Sequence, residues 1–424
     1  MNLKLGDRAG IGWGRFANAI ENDYHLHLLA ISVVSLMIRK TVFWMHLCGG
    51  ALAGLVILMM SVTGTVLTYE RQIQVWEDRS YFQEPAAGAQ ALSLDDLLDA
   101  ANAEEGFTAT SLQLASNDSA PLTVRMGRSQ TKFLNPYNAE IYPLHADSYS
   151  KFFSWVRTLH RWFTVAGDGR DTARDITGAS NLVFLFLLLS GMYLWLPKIL
   201  IWATLKVRIF FNPRAVTSAA RDFNWHHVFG FWAAIPLLVI ILAATTFHYR
   251  WASDLVYRLS GESPPVRGIS STVETPTLAS SQIALSVDEL FSAAEQYGDG
   301  WQTIRLALPE VDSRHAVFTI DEGNGGEPQK RHTLTLDRVT GETVTWAPFA
   351  SQSTGYKARR WIRFLHTGEA LGIGGQTLAG LAAISAAIMV WTGLALALRR
   401  FFRWRLRRQR AVSARDSSAS ASHS

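Results

Sequence analysis

The sequence predicts a membrane α-helical protein, a four-span bundle made of two parallel repeats, with two small external α+β domains. Three observations carry that prediction. The 424-residue chain is 48% hydrophobic and only 18% charged, with four uncharged stretches long enough to cross a bilayer. Its basic residues gather on one side of those stretches. The landmarks of the first half recur, in order, in the second.

The spans run Val42–Tyr69, Ile176–Leu196, Val228–Tyr249 and Gln376–Leu398. Lys4, Arg8, Arg15, Arg39 and Lys40 precede the first. Lys198, Lys206, Arg208, Arg214 and Arg221, against the single acid Asp222, lie between the second and third. Arg399, Arg400, Arg403, Arg405, Arg407, Arg408 and Arg410 follow the fourth. The positive-inside rule then makes both termini and the short loop cytoplasmic and places the two long segments outside. The net charge of +5 orients the chain and does not imply nucleic acid as a partner. Leu26–Ile38 is apolar but too short to span, and no small-residue cleavage site follows it. It reads as an interfacial segment and not a signal peptide, with Met37 as an alternative start.

In order, the chain divides into an N-terminal segment (1–40), span one (41–69), an external domain (70–154), a pre-span His segment with span two (155–197) and a cytoplasmic loop (198–225). The same unit follows again as span three (226–249), an external domain (250–360) and a pre-span His segment with span four (361–398), before a basic, Ser-rich tail (399–424). An offset of 180 positions relates His46 to His226, Gly50 to Gly230 and Tyr69 to Tyr249. Leu92-Ser-Leu-Asp-Asp-Leu97 returns as Leu285-Ser-Val-Asp-Glu-Leu290. Trp155-Val-Arg-Thr-Leu-His160 returns as Trp361-Ile-Arg-Phe-Leu-His366, and Ser190-Gly191 as Thr392-Gly393. Both copies start inside, so they are parallel repeats related by an axis along the membrane normal, and matched residues should face each other across it.

Each external segment opens with a helical pattern: Leu94, Leu97 and Leu98 in one, Val287, Leu290 and Phe291 in the other. Strand-like alternation follows at Leu122–Met126 and His332–Leu336, with turns at Asn135–Asn138 and Asp337–Gly341. Neither segment carries a phosphate loop, a Ser/His/Asp set or a metal-ligand cluster. The single Cys48 excludes an internal disulfide framework, a Cys-rich zinc or iron–sulfur site and covalent haem attachment.

Histidine carries the chemistry. His25, His27, His145, His315, His332 and His423 read as solvated or structural. Six others sit at membrane boundaries: His46, His226 and His227 inside, His160, His248 and His366 outside. The repeat sets His46 against His226 and His160 against His366, two pairs that suit two non-covalent b-type haems, each iron taking one neutral imidazole from opposing helices. His227 is an alternate for His226, and His248 for either outer ligand. His226 and His248 are 22 steps apart on one helix, about 33 Å, so they cannot share one haem. Gly49, Gly50, Gly54 and Gly230 would let helices flank a porphyrin. Trp44, Trp155, Trp162, Trp225, Trp232 and Trp361 read either as haem edges or as an interfacial belt. Arg157, Arg161, Arg359, Arg360 and Arg363 lie near the outer pair; the matched Arg157 and Arg363 are candidates for haem propionates. No Asp, Glu, Lys or Arg lies within the four spans, which argues against a proton or cation pump.

Arg39-Lys-Thr-Val-Phe-Trp-Met-His46, the Gly-rich span ending Thr63-Gly64-Thr-Val-Leu67, the small external domain and the repeated Leu-His before spans two and four resemble the PepSY-associated transmembrane family, over about residues 38–405. Four-span members are similar to bacterial inner-membrane ferric-siderophore reductases. The resemblance implies PepSY-like external domains, haem ligation by His46, His226, His160 and His366, and reduction of ferric-siderophore iron in the periplasm. No G-x-G-x-x-G fingerprint is present, the nearest approach being Gly323–Gly326, so the electron donor would be a cytoplasmic protein or a quinone. The alternative function is a non-enzymatic PepSY membrane protein regulating a peptidase or sensor.

Overall fold

The structure of the protein, a computed structural model, describes the backbone of residues 9–127, 130–143, 149–265, 277–279 and 282–421, with side chains from 34 to 411 and at 413 among them. His145 and His423, and the side chains of His25 and His27, lie outside the described set.

The first half runs α1 (Ala9–Val66), α2 (Glu70–Asp78), α3 (Leu94–Asn102), β1 (Ser111–Ala115), β2 (Leu122–Met126), β3 (Gln130–Leu134), β4 (Ile141–Tyr142), α4 (Tyr149–Trp162) and α5 (Gly169–Trp195). A short helix α6 (Trp202–Ile209) follows. The second half repeats the order with α7 (Ser218–His248), α8 (Arg250–Leu259), α9 (Val287–Ala294), β5 (Thr303–Ala307), β6 (His315–Asp321), β7 (Arg331–Asp337), β8 (Thr343–Ala347), α10 (Thr354–Thr367) and α11 (Gly372–Ala421). The chain is a membrane protein with four candidate spans, in α1, α5, α7 and α11. Leu26–Ile38, expected as a separate interfacial segment, is part of α1. No Gly or Pro falls between Arg15 and Cys48 to interrupt the helix.

Contacts divide the chain into two units. The first comprises Met1–Leu58, Val183–Ala234 and Ser385–Ser424. Here the buried Asp222 pairs with Arg221 at 3.0 Å and with Arg399 of α11 at 2.7 Å. Arg39 donates to the carbonyls of Leu194 and Leu196 at the end of α5, at 2.8 and 3.0 Å. Those carbonyls have no partner within their own helix, so a guanidinium suits them.

The second unit comprises Met59–Leu182 and Ile235–Ile384. The sequence treats its two external segments as separate domains. Their strands instead join one antiparallel sheet of eight, ordered β4-β3-β2-β1-β5-β6-β7-β8. The seam is β1 on β5, with Leu112 opposite Leu306 and Gln113 opposite Arg305. Fully buried Leu112, Val124, Ile304 and Phe318 pack with Leu97 of α3 and Leu290 and Phe291 of α9 in one continuous core. Ser93 and Ser286 cap α3 and α9 with their own side chains. The two helix starts also cap each other. Asp95 accepts from the Val287 and Asp288 amides at 3.0 and 3.2 Å, and Asp288 accepts from the Asp95 amide at 3.4 Å. A carboxylate at a partner's helix N-terminus meets both free amides and the positive end of the dipole. The turns at Asn135–Asn138 and Asp337–Gly341 close β3 onto β4 and β7 onto β8.

Facing positions in antiparallel strands have Cα atoms about 4.5–5.5 Å apart, within disulfide reach. In a Cys48→Ser background, Gln113→Cys with Arg305→Cys should therefore cross-link within one chain on mild oxidation, seen as a mobility shift reversed by reductant. Two independent domains would leave both thiols free.

Candidate functional site

In the first unit, α1 carries His46 and α7 carries His226. Their ring centroids stand 6.5 Å apart with planes at 83°. His46 Nδ1 lies 2.9 Å from Ser190 Oγ on α5. Ser190 already donates its one proton to the Phe186 carbonyl at 2.6 Å. Its oxygen therefore accepts, and Nδ1 carries the imidazole proton. His226 uses the same device on α11. Its Nδ1 faces the Met389 carbonyl at 3.0 Å and Thr392 Oγ1 at 3.1 Å, while Thr392 donates to the Ile388 carbonyl at 2.8 Å. Both rings are held as Nδ1–H tautomers, which leaves the Nε2 lone pair available to a ligand.

Glycine makes the room. A Cβ on Gly191 would sit 3.2 Å from His46 Cε1, and one on Gly393 would sit 3.2 Å from His226 Cε1. The glycines singled out in the sequence play another part. Gly49 faces Leu187 and Val183, Gly54 faces Leu394, and Gly230 faces Met389.

The second unit holds His160 and His366. His160 on α4 donates from Nδ1 to Thr63 Oγ1 on α1 at 2.8 Å, and Thr63 donates onward to the Met59 carbonyl at 2.7 Å. His366 on α10 donates from Nδ1 to the Ile240 carbonyl on α7 at 2.9 Å. The offset of 180 relates Ile240 to Met60, and Ala243 to Thr63. Where alanine removes the hydroxyl, the imidazole reaches a backbone carbonyl directly. Burial and, after it, the neighbouring His366 push His160 down to about 4, and burial lowers His366 as well. Both rings are thus neutral near pH 7, the form that binds a metal. The turns after these helices differ. Phe163 and Thr164 adopt left-handed backbone after α4, whereas Gly368 (φ 78°) ends α10, where a Cβ would collide with the Gly375 carbonyl oxygen.

The remaining candidates fall elsewhere. His227 donates to the Phe223 carbonyl of its own helix, and it is His226 whose ring stands against His46. His248 packs beside Gly178 on α5 and makes the same kind of contact that Thr68 makes with Gly380. His315 lies on β6, and His332 on β7 pairs with Glu322 at 3.2 Å. Arg157 is ion-paired with Glu70, so its charge is already compensated. Arg363 has no carboxylate in ion-pair distance among the described residues. Trp155 and Trp232 are more than half exposed, and Trp44 and Trp225 are exposed too, which suits an interfacial belt. The sequence marked Ser190, Thr392 and Thr63 only as landmarks; their role as imidazole acceptors depends on partners on other helices.

These features define a helical membrane protein in which His46 stands against His226 in one unit, and His160 and His366 are each hydrogen-bonded to a spanning helix in the other. The chain belongs to the PepSY-associated TM region family, whose model matches residues 43–400. No curated protein matches it.

Two outcomes follow. Selective ¹⁵N-histidine NMR should find His46 and His226 protonated on Nδ1. Ser190→Ala should let His46 sample the other tautomer, while Thr392→Ala leaves His226 on the Met389 carbonyl. The second outcome concerns pH. An unfolded histidine takes up a proton near pH 6.5, whereas folded His160 resists protonation down to about pH 4. Its contribution to stability is therefore present above 6.5 and lost as pH falls towards 4. Thermal unfolding in detergent should show that loss, and His160→Phe should flatten it.

Proposed function

We propose that the protein is an inner-membrane di-haem b oxidoreductase that passes electrons across the membrane to reduce ferric-siderophore iron in the periplasm. The observation that carries this reading is the His46–His226 pair. Their ring centroids stand 6.5 Å apart and both Nδ1 atoms are hydrogen-bonded to other helices, so the two residues would hold a metal centre through their Nε2 lone pairs. His46 and His226 would hold one haem, and His160 and His366 the other. Bound there, a haem supplies reversible one-electron chemistry.

The chain's own residues do the rest. The Ser190 and Thr392 hydroxyls and the Met389 carbonyl hold the inner imidazoles in one tautomer and one plane, and Thr63 and the Ile240 carbonyl hold the outer ones. The half-buried setting of His160 and His366 lowers both below the ordinary histidine value and keeps the rings neutral near pH 7. One electron from a cytoplasmic protein or a quinone converts chelated Fe(III) to Fe(II), which hard oxygen donors bind less well, so the metal leaves its chelator.

The test is spectroscopic. Purified protein should show a reduced b-type α band and two haems per chain by pyridine haemochrome assay. His46→Ala and His226→Ala should each remove the same haem, and Ser190→Ala should weaken its retention about 10–100-fold. A colourless wild-type protein removes the proposal.

A further inference from the structure

The third span does not run on into the helix that follows it. α7 ends at His248, Tyr249 takes an extended backbone (φ −113°, ψ 127°), and α8 starts at the next residue. An extended residue between two helices breaks the axis, so α8 begins where the span ends and departs from its direction.

One face of α8 is packed. Ala252 and Ser253 are buried, Ser253 accepts from Arg359 of α10 at 3.2 Å, and Gly355 at the start of α10 leaves no room for a Cβ beside Tyr257. The opposite face is open and apolar. Trp251, Leu255 and Leu259 follow one another at four-residue intervals, which sets them in one row, and they are 58%, 45% and 80% exposed. Eight steps of 1.5 Å make that row about 12 Å long. The exposed Arg250 and Arg258 flank it, Arg250 standing 3.6 Å from Asp254.

The surroundings of the row identify its partner. It is continuous with a membrane span, since Trp251 lies three residues beyond the end of α7. Its first ring stands 6.0 Å from that of Tyr249, and Trp and Tyr collect where hydrocarbon meets headgroups. The flanking arginines have stems long enough to keep their charge among phosphates while the row lies deeper. The repeat does not impose the row: the offset of 180 places Arg71, Val75 and Arg79 at these positions, and Arg71 is ion-paired with Glu369 at 2.8 Å.

We propose that α8 is an interfacial helix whose partner is the lipid surface. Trp251, Leu255 and Leu259 enter the leaflet at which α7 ends, with Arg250 and Arg258 at the level of the phosphates. Helices of this kind sink about 5–10 Å into the boundary between headgroups and acyl chains. The contact needs no cofactor and stands whatever the histidines bind.

The test is spin-label accessibility of the purified full chain in bilayers of phosphatidylethanolamine and phosphatidylglycerol. Leu255→Cys and Leu259→Cys are labelled singly in a Cys48→Ser background. Exposed Leu52→Cys in the first span gives the lipid reference, and exposed Val311→Cys before β6 the water reference. All four side chains are exposed, so the labelled variants should keep the wild-type thermal transition. Both α8 labels should collide more with oxygen than with a water-soluble nickel chelate, as at Leu52 but with a smaller excess. The reverse preference, as at Val311, overturns the proposal. Loss of both kinds of collision means that protein covers the row and also overturns it; spin–spin broadening would then assign the cover to a second copy, and its absence to a segment of the same chain. A label-free measurement checks the result. The fluorescence that Trp251→Phe removes should be quenched in the wild type by phospholipid brominated near the headgroup end of its acyl chains, and unquenched emission overturns the proposal.

Discussion

A hydroxyl with one proton and two lone pairs is the element on which the candidate site depends. A helix in hydrocarbon keeps its backbone groups bonded internally and offers few free acceptors to a neighbour. Ser190, Thr392 and Thr63 resolve this by returning their proton to a carbonyl of their own helix and receiving an imidazole N–H with what remains. That direction of donation sets the tautomer, and the tautomer decides which nitrogen is left to bind. Replacing the Ser190 hydroxyl by a methyl group would leave helix and histidine intact while removing the acceptor that orients the His46 ring. His366 shows the fallback, a direct bond to the Ile240 carbonyl, and His226 has both acceptors at once.

The order of elements recurs in the two halves, and such devices occur in both. The two sheet-forming segments share a plan of capped helix and four strands, yet neither buries its edge alone. β1 and β5 each cover the other's unpaired backbone, and Asp95 and Asp288 exchange caps across the same seam. Edge strands left open invite association, so the joint sheet serves solubility as well as stability. The core is shared for the same reason: a helix over four short strands encloses little apolar volume, whereas two such layers side by side enclose one continuous interior.

Charge follows a different course in each half. Glu70 pairs with Arg157, whereas the carboxylate that acts on Arg363 is Glu369, which itself pairs with Arg71 at 2.8 Å.

The spans, the duplicated order of elements, the starts of α3 and α9 and the turns of the sheet were all legible in the chain. Each rests on local pattern: apolar length, Ser with acidic residues at a helix start, and turn residues between alternating runs. The approach of His46 to His226 was also legible, since repeat positions constrain each other without knowledge of packing. Tertiary structure alone decided the rest. Whether β1 meets β5 depends on two edges about 190 residues apart, and no local signal records that pairing. The same holds for Ser190 beside His46. Hydrogen bonds and charge act over a few ångströms of space, and only the folded chain says which residues lie within that reach.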